Sequence, residues 1–282
     1  MNGDASTCIN NPETVKNGKP IYKLIDRAPN LAEIIQKKSY ALLYDNRTRN
    51  AAWVYEILNT STLSKEYKKK QRPFFEVDNS VHPFYRAKES GKEFIGGYDR
   101  GHLAAAANHR WCQEAFEDTF SISNMTPQHE SLNGPIWSKL EEDCREKILE
   151  RKSEIRNVHV YTGPLYLPRN DDSNEVCYRM ITDKAVPTHF FKVVILENKD
   201  DTVELKCYKV PNEELAENDL EKYIVEIEYI ESISGLIFRE NGSNQGEIDS
   251  ERTVTWEGNG CVAESKVKIS TPRTNNIDRA DI

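Results

Sequence analysis

No uninterrupted apolar run in this chain approaches the ~20 residues that a membrane-spanning helix needs, so such a helix is excluded. The first thirty residues hold no apolar h-region, and Asp4, Glu13 and Asp26 interrupt the sparse basic ones; neither a secretory signal nor a transit peptide is expected. The six cysteines (Cys8, Cys112, Cys144, Cys177, Cys207, Cys261) form no C-x-x-C pair, which excludes a zinc ribbon or a thioredoxin-type motif. Without a signal, reduced thiols are expected. His109 and Cys112 stand three apart, but no second pair completes a zinc site, so they read as two separate side chains. There is no internal repeat. The chain also lacks positive charge overall: 38 basic against 46 acidic residues give -8, which by itself argues against nucleic acid as a partner.

The average hides an asymmetry. Residues 197–251 hold 16 acidic and 5 basic residues, so the rest of the chain is slightly basic, and any nucleic-acid face belongs to the first two thirds. Lys68, Lys69 and Lys70, with Lys65 and Arg72 around them, form a basic run that suits either a polyanion or a solvated turn. Three regions follow from composition: a flexible arm over 1–30, a folded domain over 31–239, and a polar, disordered tail over 240–282.

Within the domain, 31–37 reads as a short helix. Residues 40–44 and 51–58 read as a hairpin around the turn-prone DNRTRN. The runs VHVY from Val158, HFFKVVIL from His189 and VELKCYKV from Val203 read as strands, and Ile227–Ile233 as a helix. His189 lies in an apolar strand, as a satisfied core histidine would. The fold class is α+β, a mainly antiparallel sheet.

The stretch from Gly96 to Glu150 is the most informative. Tyr98–Leu103 reads as a strand, which puts Arg100 and His102 on one face and Asp99 on the other. A guanidinium and a titratable base side by side suit one phosphate. Gln113–Phe120 reads as a helix, and a short strand ends at Ser123-Asn124, where Pro127 is expected to break it. A strong helix follows, with Pro135 in its first turn and Ser131 or Asn133 as the cap. Its buried stripe is Ile136, Leu140, Cys144 and Ile148; beside it runs Asn133, Trp137, Glu141 and Arg145. Strand, loop, strand and helix make a ββα unit.

In order, Asp99-Arg100-Gly101-His102, then Ser123-Asn124-Met125-Thr126-Pro127-Gln128, then Leu132-Asn133 with Trp137, Glu141 and Arg145 resemble the three signatures of the DNA/RNA non-specific endonucleases of the ββα-metal (His-Me finger) superfamily. The similarity runs over residues 31–238, including Tyr161-Thr162-Gly163-Pro164-Leu165 and the segment from Val186 to Lys192. The resemblance implies a nuclease that hydrolyses phosphodiester bonds of DNA and RNA with a single Mg2+, for which Mn2+ can substitute. It assigns the metal to Asn133, with Glu141 acting through a metal-bound water. His102 becomes the general base, with Arg100, Asn124, Glu141 and Arg145 completing the catalytic set. Arg72, Arg100 and Arg145 become phosphate contacts, and Asp99 and Lys68–Lys70 weaker ones. It further implies a homodimer and a mitochondrial location, with release to the nucleus; the missing transit peptide leaves the cytoplasm open. A glycan on the sequon at Asn124 would obstruct this site, in keeping with a protein that is not secreted.

The elementary chemistry agrees. A histidine with its ordinary pKa of about 6.5 is mostly neutral at pH 7 and can take a proton from water, so activity is expected to rise as pH climbs through that value. Glu141 stands eight residues after Asn133, ~12 Å along a helix, too far to share direct ligation comfortably. Two other readings remain: a 5′-exonuclease on the same fold, disfavoured because the tail lacks the helical periodicity of a blocking wing, and a catalytically dead nucleic-acid binder, disfavoured because every candidate residue is present.

Overall fold

The computed structural model describes residues 32–63, 67, 72–87, 97–168, 178–215 and 219–238, and the backbone of 15–16 and 19–20. The lysine run 68–70 and the tail from 240 lie outside these residues. The chain forms two compact units, Met1–Leu31 and Ala32–Ile282. In the first, strands β1 (Val15–Lys16) and β2 (Lys19–Pro20) pair antiparallel.

The second unit starts with β3 (Ala32–Gln36), β4 (Tyr40–Asp45) and β5 (Asn50–Leu58), then a single helical turn α1 (Thr60–Leu63). The ββα unit comprises β6 (Tyr98–His102), a 3-10 turn at Ala106–His109, α2 (Gln113–Asp118), β7 (Met125–His129) and α3 (Trp137–Glu150). Then come β8 (Ile155–Leu165), the small hairpin β9 (Met180–Ile181) and β10 (Lys184–Ala185), β11 (His189–Asn198), β12 (Val203–Pro211), β13 (Ile224–Val225) and α4 (Ile227–Ser234). Seven strands form one sheet in the order β13-β12-β11-β8-β5-β4-β3, antiparallel throughout.

The run HFFKVVIL is mostly apolar because both faces of the sheet are covered. Phe190, Val194 and Leu196 enter the cluster shared with α3, and Phe191 and Val193 the cluster shared with α4. The stripe Ile136, Leu140, Cys144, Ile148 is buried as its spacing predicts, and Trp137 joins it at 1% exposed. Each such large side chain contributes about 1.5–3 kcal/mol on burial, which fixes the face α3 presents to the sheet. Burial pushes the Cys144 thiol up to about 12, so it packs and does not react.

Three local expectations are corrected. Residues 31–37 are not a helix: β3 is an edge strand on β4, with Ile35 inward at 5% exposed and Ile34 outward at 66%. Two adjacent isoleucines suit either period, and the open edge of β4 decides between them. Pro127 does not break its strand. It pairs with Arg100 inside the two-stranded β6–β7 sheet, where a residue without an N–H is tolerated because β7 has a free side. Neither Ser131 nor Asn133 caps the helix. Leu132–Ile136 forms a π-helical turn that runs into α3, with Pro135 inside it. The Ser131 hydroxyl instead donates to Glu213 O and accepts from Leu215 N–H.

Candidate active site

The hairpin β6–β7 is built around Gly101. A Cβ there would lie 2.0 Å from Gln128 Oε1, so the fully buried Gln128 side chain can cross the strand only over glycine. Asn212, at the end of β12, bolts the hairpin to the large sheet: its Nδ2 donates to Pro127 O and Pro187 O, and its Oδ1 accepts from His129 N–H at 2.7 Å. The buried Lys184 adds a second bolt, donating to Met125 O at 2.9 Å, and its burial pushes its pKa down to about 7.

His102 ends β6. Its ring is half-buried, but Nε2 is wholly buried and has no hydrogen-bond partner among the described residues. Phe120 meets the ring edge-on at 5.1 Å and Phe75 lies 6.2 Å away. Burial pushes the His102 pKa down to about 3, and the Arg72 guanidinium adds to the fall. Both effects favour the neutral imidazole.

Phe75 gathers the cations. The Arg100 guanidinium lies 4.9 Å from its centroid and that of Arg72 5.4 Å, with Arg72 also 5.4 Å from Phe120. Arg72, Arg100 and His102 thus surround one aromatic ring. Neither phenylalanine was assigned a role from the sequence. Phe75 stands in the same run as Arg72, but only the tertiary fold turns it under His102.

Asn133 lies in the π-helical turn, and its Nδ2 donates to Asp99 Oδ2 at 2.9 Å. Asp99 and Asn133 are thereby brought together from opposite elements, and the amide nitrogen is committed, so the carbonyl oxygen is the end left for a cation. Glu141 is half-buried; burial pushes its pKa up to about 7, against the pull of Lys192 and Arg145 and with a push from Glu56. Arg145 Nη1 donates to Asn108 Oδ1 at 3.0 Å.

Asn124 takes a different form from the one expected. It is 0% exposed; its Oδ1 accepts from Ala104 N–H, and its Nδ2 donates to Ala104 O and Thr119 O. The amide holds the loop after His102 from beneath. His109 and Cys112 are separate, as expected: His109 contacts Glu56 at 2.7 Å, and Cys112 Sγ caps α2 by accepting from Ala115 N–H. His189 shares a hydrogen bond with Thr188 Oγ1, and burial pushes its pKa down to about 4.

Among the described residues no three His, Cys, Asp or Glu side chains could hold a metal together. A neutral amide oxygen with the Asp99 carboxylate beside it suits a hard, heavily hydrated cation that takes one protein ligand and keeps its waters.

Residues 17–245 match the family described as DNA/RNA non-specific endonuclease. The chain is 46% identical over 219 residues to the human protein named endonuclease G, mitochondrial, covering 76% of this chain and 71% of that one. It is 33% identical over 265 residues to its namesake in Caenorhabditis elegans, covering 88% and 82%. A chain in a crystal structure of an EndoG/EndoGI complex is similar in fold, with a TM-score of 0.67 and 37% identity over 74% of this chain and 86% of that one.

Proposed function

The chain belongs to the DNA/RNA non-specific endonuclease family, and from that premise we propose a magnesium-dependent, sugar-non-specific endonuclease of the endonuclease G type, with His102 as general base and Asn133 as the protein ligand of the metal. The observation that carries the site assignment is the gathering of His102, Arg72 and Arg100 around Phe75, on the strand whose Asp99 orients Asn133.

Arg72 and Arg100 hold non-bridging oxygens of the scissile phosphate, a task for which guanidinium forks suit better than ammonium groups. Arg145 adds a third cation from α3. Neutral His102 accepts a proton from the attacking water, and its burial favours the neutral form. Asp99 fixes the Asn133 amide so that its carbonyl oxygen meets the cation. Glu141, as carboxylate, would hold the cation's waters. The bound Mg2+, or Mn2+ in its place, supplies Lewis-acid stabilisation of the leaving oxygen.

The human and nematode relatives carry "mitochondrial" in their names, and we place this chain in the mitochondrion, acting as a homodimer on DNA and RNA. Nicking of supercoiled plasmid with and without Mg2+ tests the activity. Closed circles have no ends, so Mg2+-dependent nicking establishes an endonuclease. Intact circles beside digested linear DNA establish a 5′-exonuclease, and binding without cleavage a dead binder. Light scattering of the purified chain tests the dimer.

A further inference from the structure

The sheet face under α3 carries three polar side chains among apolar ones: Glu56 on β5, Thr162 on β8 and Lys192 on β11. Lys192 and Thr162 satisfy each other at 2.7 Å, and the ammonium lies 4.7 Å from the Trp137 ring centroid. Glu56 does something else. At 1% exposed, its Oε2 takes the His109 Nε2 at 2.7 Å and accepts from Asn108 Nδ2 at 3.2 Å. Asn108, 2% exposed, then presents Oδ1 to Arg145 Nη1 at 3.0 Å.

An asparagine amide has a donor end and an acceptor end, and nothing in its shape decides which points where. Here the carboxylate decides. Glu56 accepts only, so the NH2 of Asn108 must face it, and the carbonyl oxygen must face the guanidinium. The reverse orientation would set an NH2 against a cation. A buried carboxylate is a costly way to fill space and persists where it is paired and hydrogen-bonded. We infer that Glu56 and Asn108 are positioning residues for Arg145: the carboxylate fixes the amide, and the amide aims the guanidinium from α3 at the substrate phosphate. The relay also ties α3 to the turn Ala106–His109, which follows directly on the strand bearing His102. Base and cation are thereby held in one frame. The inference rests on the reading of Arg145 as a phosphate contact.

The test is a double-mutant cycle on the full-length protein, scored as kcat and KM for plasmid nicking, with thermal melting alongside. Arg145→Ala is expected to lower kcat about 100-fold, as for loss of one charge-stabilising donor. Asn108→Ala is expected to lower it about tenfold, the scale of losing a group that orients another, with KM within about twofold. Both act through the same guanidinium, so the double variant should be no slower than Arg145→Ala alone. Glu56→Leu, which keeps an apolar-compatible shape but offers no acceptor, should match Asn108→Ala, and Glu56→Gln, whose carbonyl can still accept from Asn108, should restore kcat to within about threefold of the wild type. If Asn108→Ala does not fold, the two Glu56 variants decide alone. Near-normal kcat in Asn108→Ala or Glu56→Leu beside an impaired Arg145→Ala overturns the relay while sparing the phosphate contact. Additive losses in the double variant overturn it equally. Near-normal kcat in Arg145→Ala overturns the phosphate contact and the relay with it.

Discussion

Glu197 and the hairpin β6–β7 treat buried polarity in opposite ways. Glu197, 1% exposed on β11, is fully engaged: Arg156 and Asn157 donate to it at 2.7 and 2.6 Å, and His159 meets it at 3.2 Å. Burial alone would raise its pKa, but these hydrogen bonds outweigh it and hold the group at about 2. In the hairpin, His102 Nε2, Thr126 Oγ1 and both amide ends of Gln128 are buried without a hydrogen-bond partner among the described residues. Native proteins complete almost all such groups, with protein partners or with ordered water. Glu197 is satisfied from within the sheet; these hairpin groups are not satisfied by the described residues around them.

The contrast can be broken most forcefully at His102. His102→Ala should lower kcat by ~10²–10⁴ while DNA affinity stays within a few-fold, measured by single-turnover cleavage and filter binding. The pH profile sharpens the point. Because burial holds the free-enzyme pKa near 3, log kcat/KM at saturating metal should show no His102-dependent rise near pH 6.5; the limb lies at acid pH. Arg72→Gln removes a cation that depresses this pKa and should move the limb upward.

Next in size is Asn124→Ala. If the amide is a brace, the variant loses about 3 kcal/mol of stability in urea melts, because it leaves Ala104 and Thr119 backbone groups buried and unpaired. A lost kcat with unchanged stability would return Asn124 to the reacting centre. Asn133→Ala should weaken Mg2+ binding ~10–100-fold by calorimetry, and Glu141→Gln by less. Since burial pushes Glu141 up to about 7, wild-type metal affinity should rise with pH through that value, and Glu141→Gln should flatten the rise.

The smallest effect belongs to Glu197. Glu197 ionises at about 2 when folded and near its ordinary 4.5 when unfolded, so the unfolded chain binds more protons in between. Its contribution is complete above 4.5 and disappears as pH falls to 2. Glu197→Gln should lower stability at pH 7 and should flatten the acid dependence of melting over that window, with nicking activity unchanged.

Much of this was readable from the sequence because two kinds of signal are local. The stripe from Ile136 to Ile148 is a period, and Asp99-Arg100-Gly101-His102 with Asn133 is an ordered spacing; both survive without coordinates. What was not readable depends on partners far along the chain. Asn124 stands inside a signature, but a signature gives proximity to a site and not the direction of an amide. Phe75 and Phe120 flank His102 only after residues 45 apart in sequence, such as Asp78 and Ser123, are joined by a hydrogen bond. The depression of the His102 pKa is unreadable for the same reason, since burial belongs to the fold and not to the residue.

Asn212 bears on how the chain comes off the ribosome. Its hydrogen bond to Pro127 spans 85 residues, and Lys184 reaches back 59 residues to Met125. Synthesis therefore delivers His102, Asn133 and Arg145 long before either bolt exists. The hairpin that bears the base is the earlier part to be made and the later part to be locked, and the nascent nuclease has no fixed cutting edge until β12 has emerged.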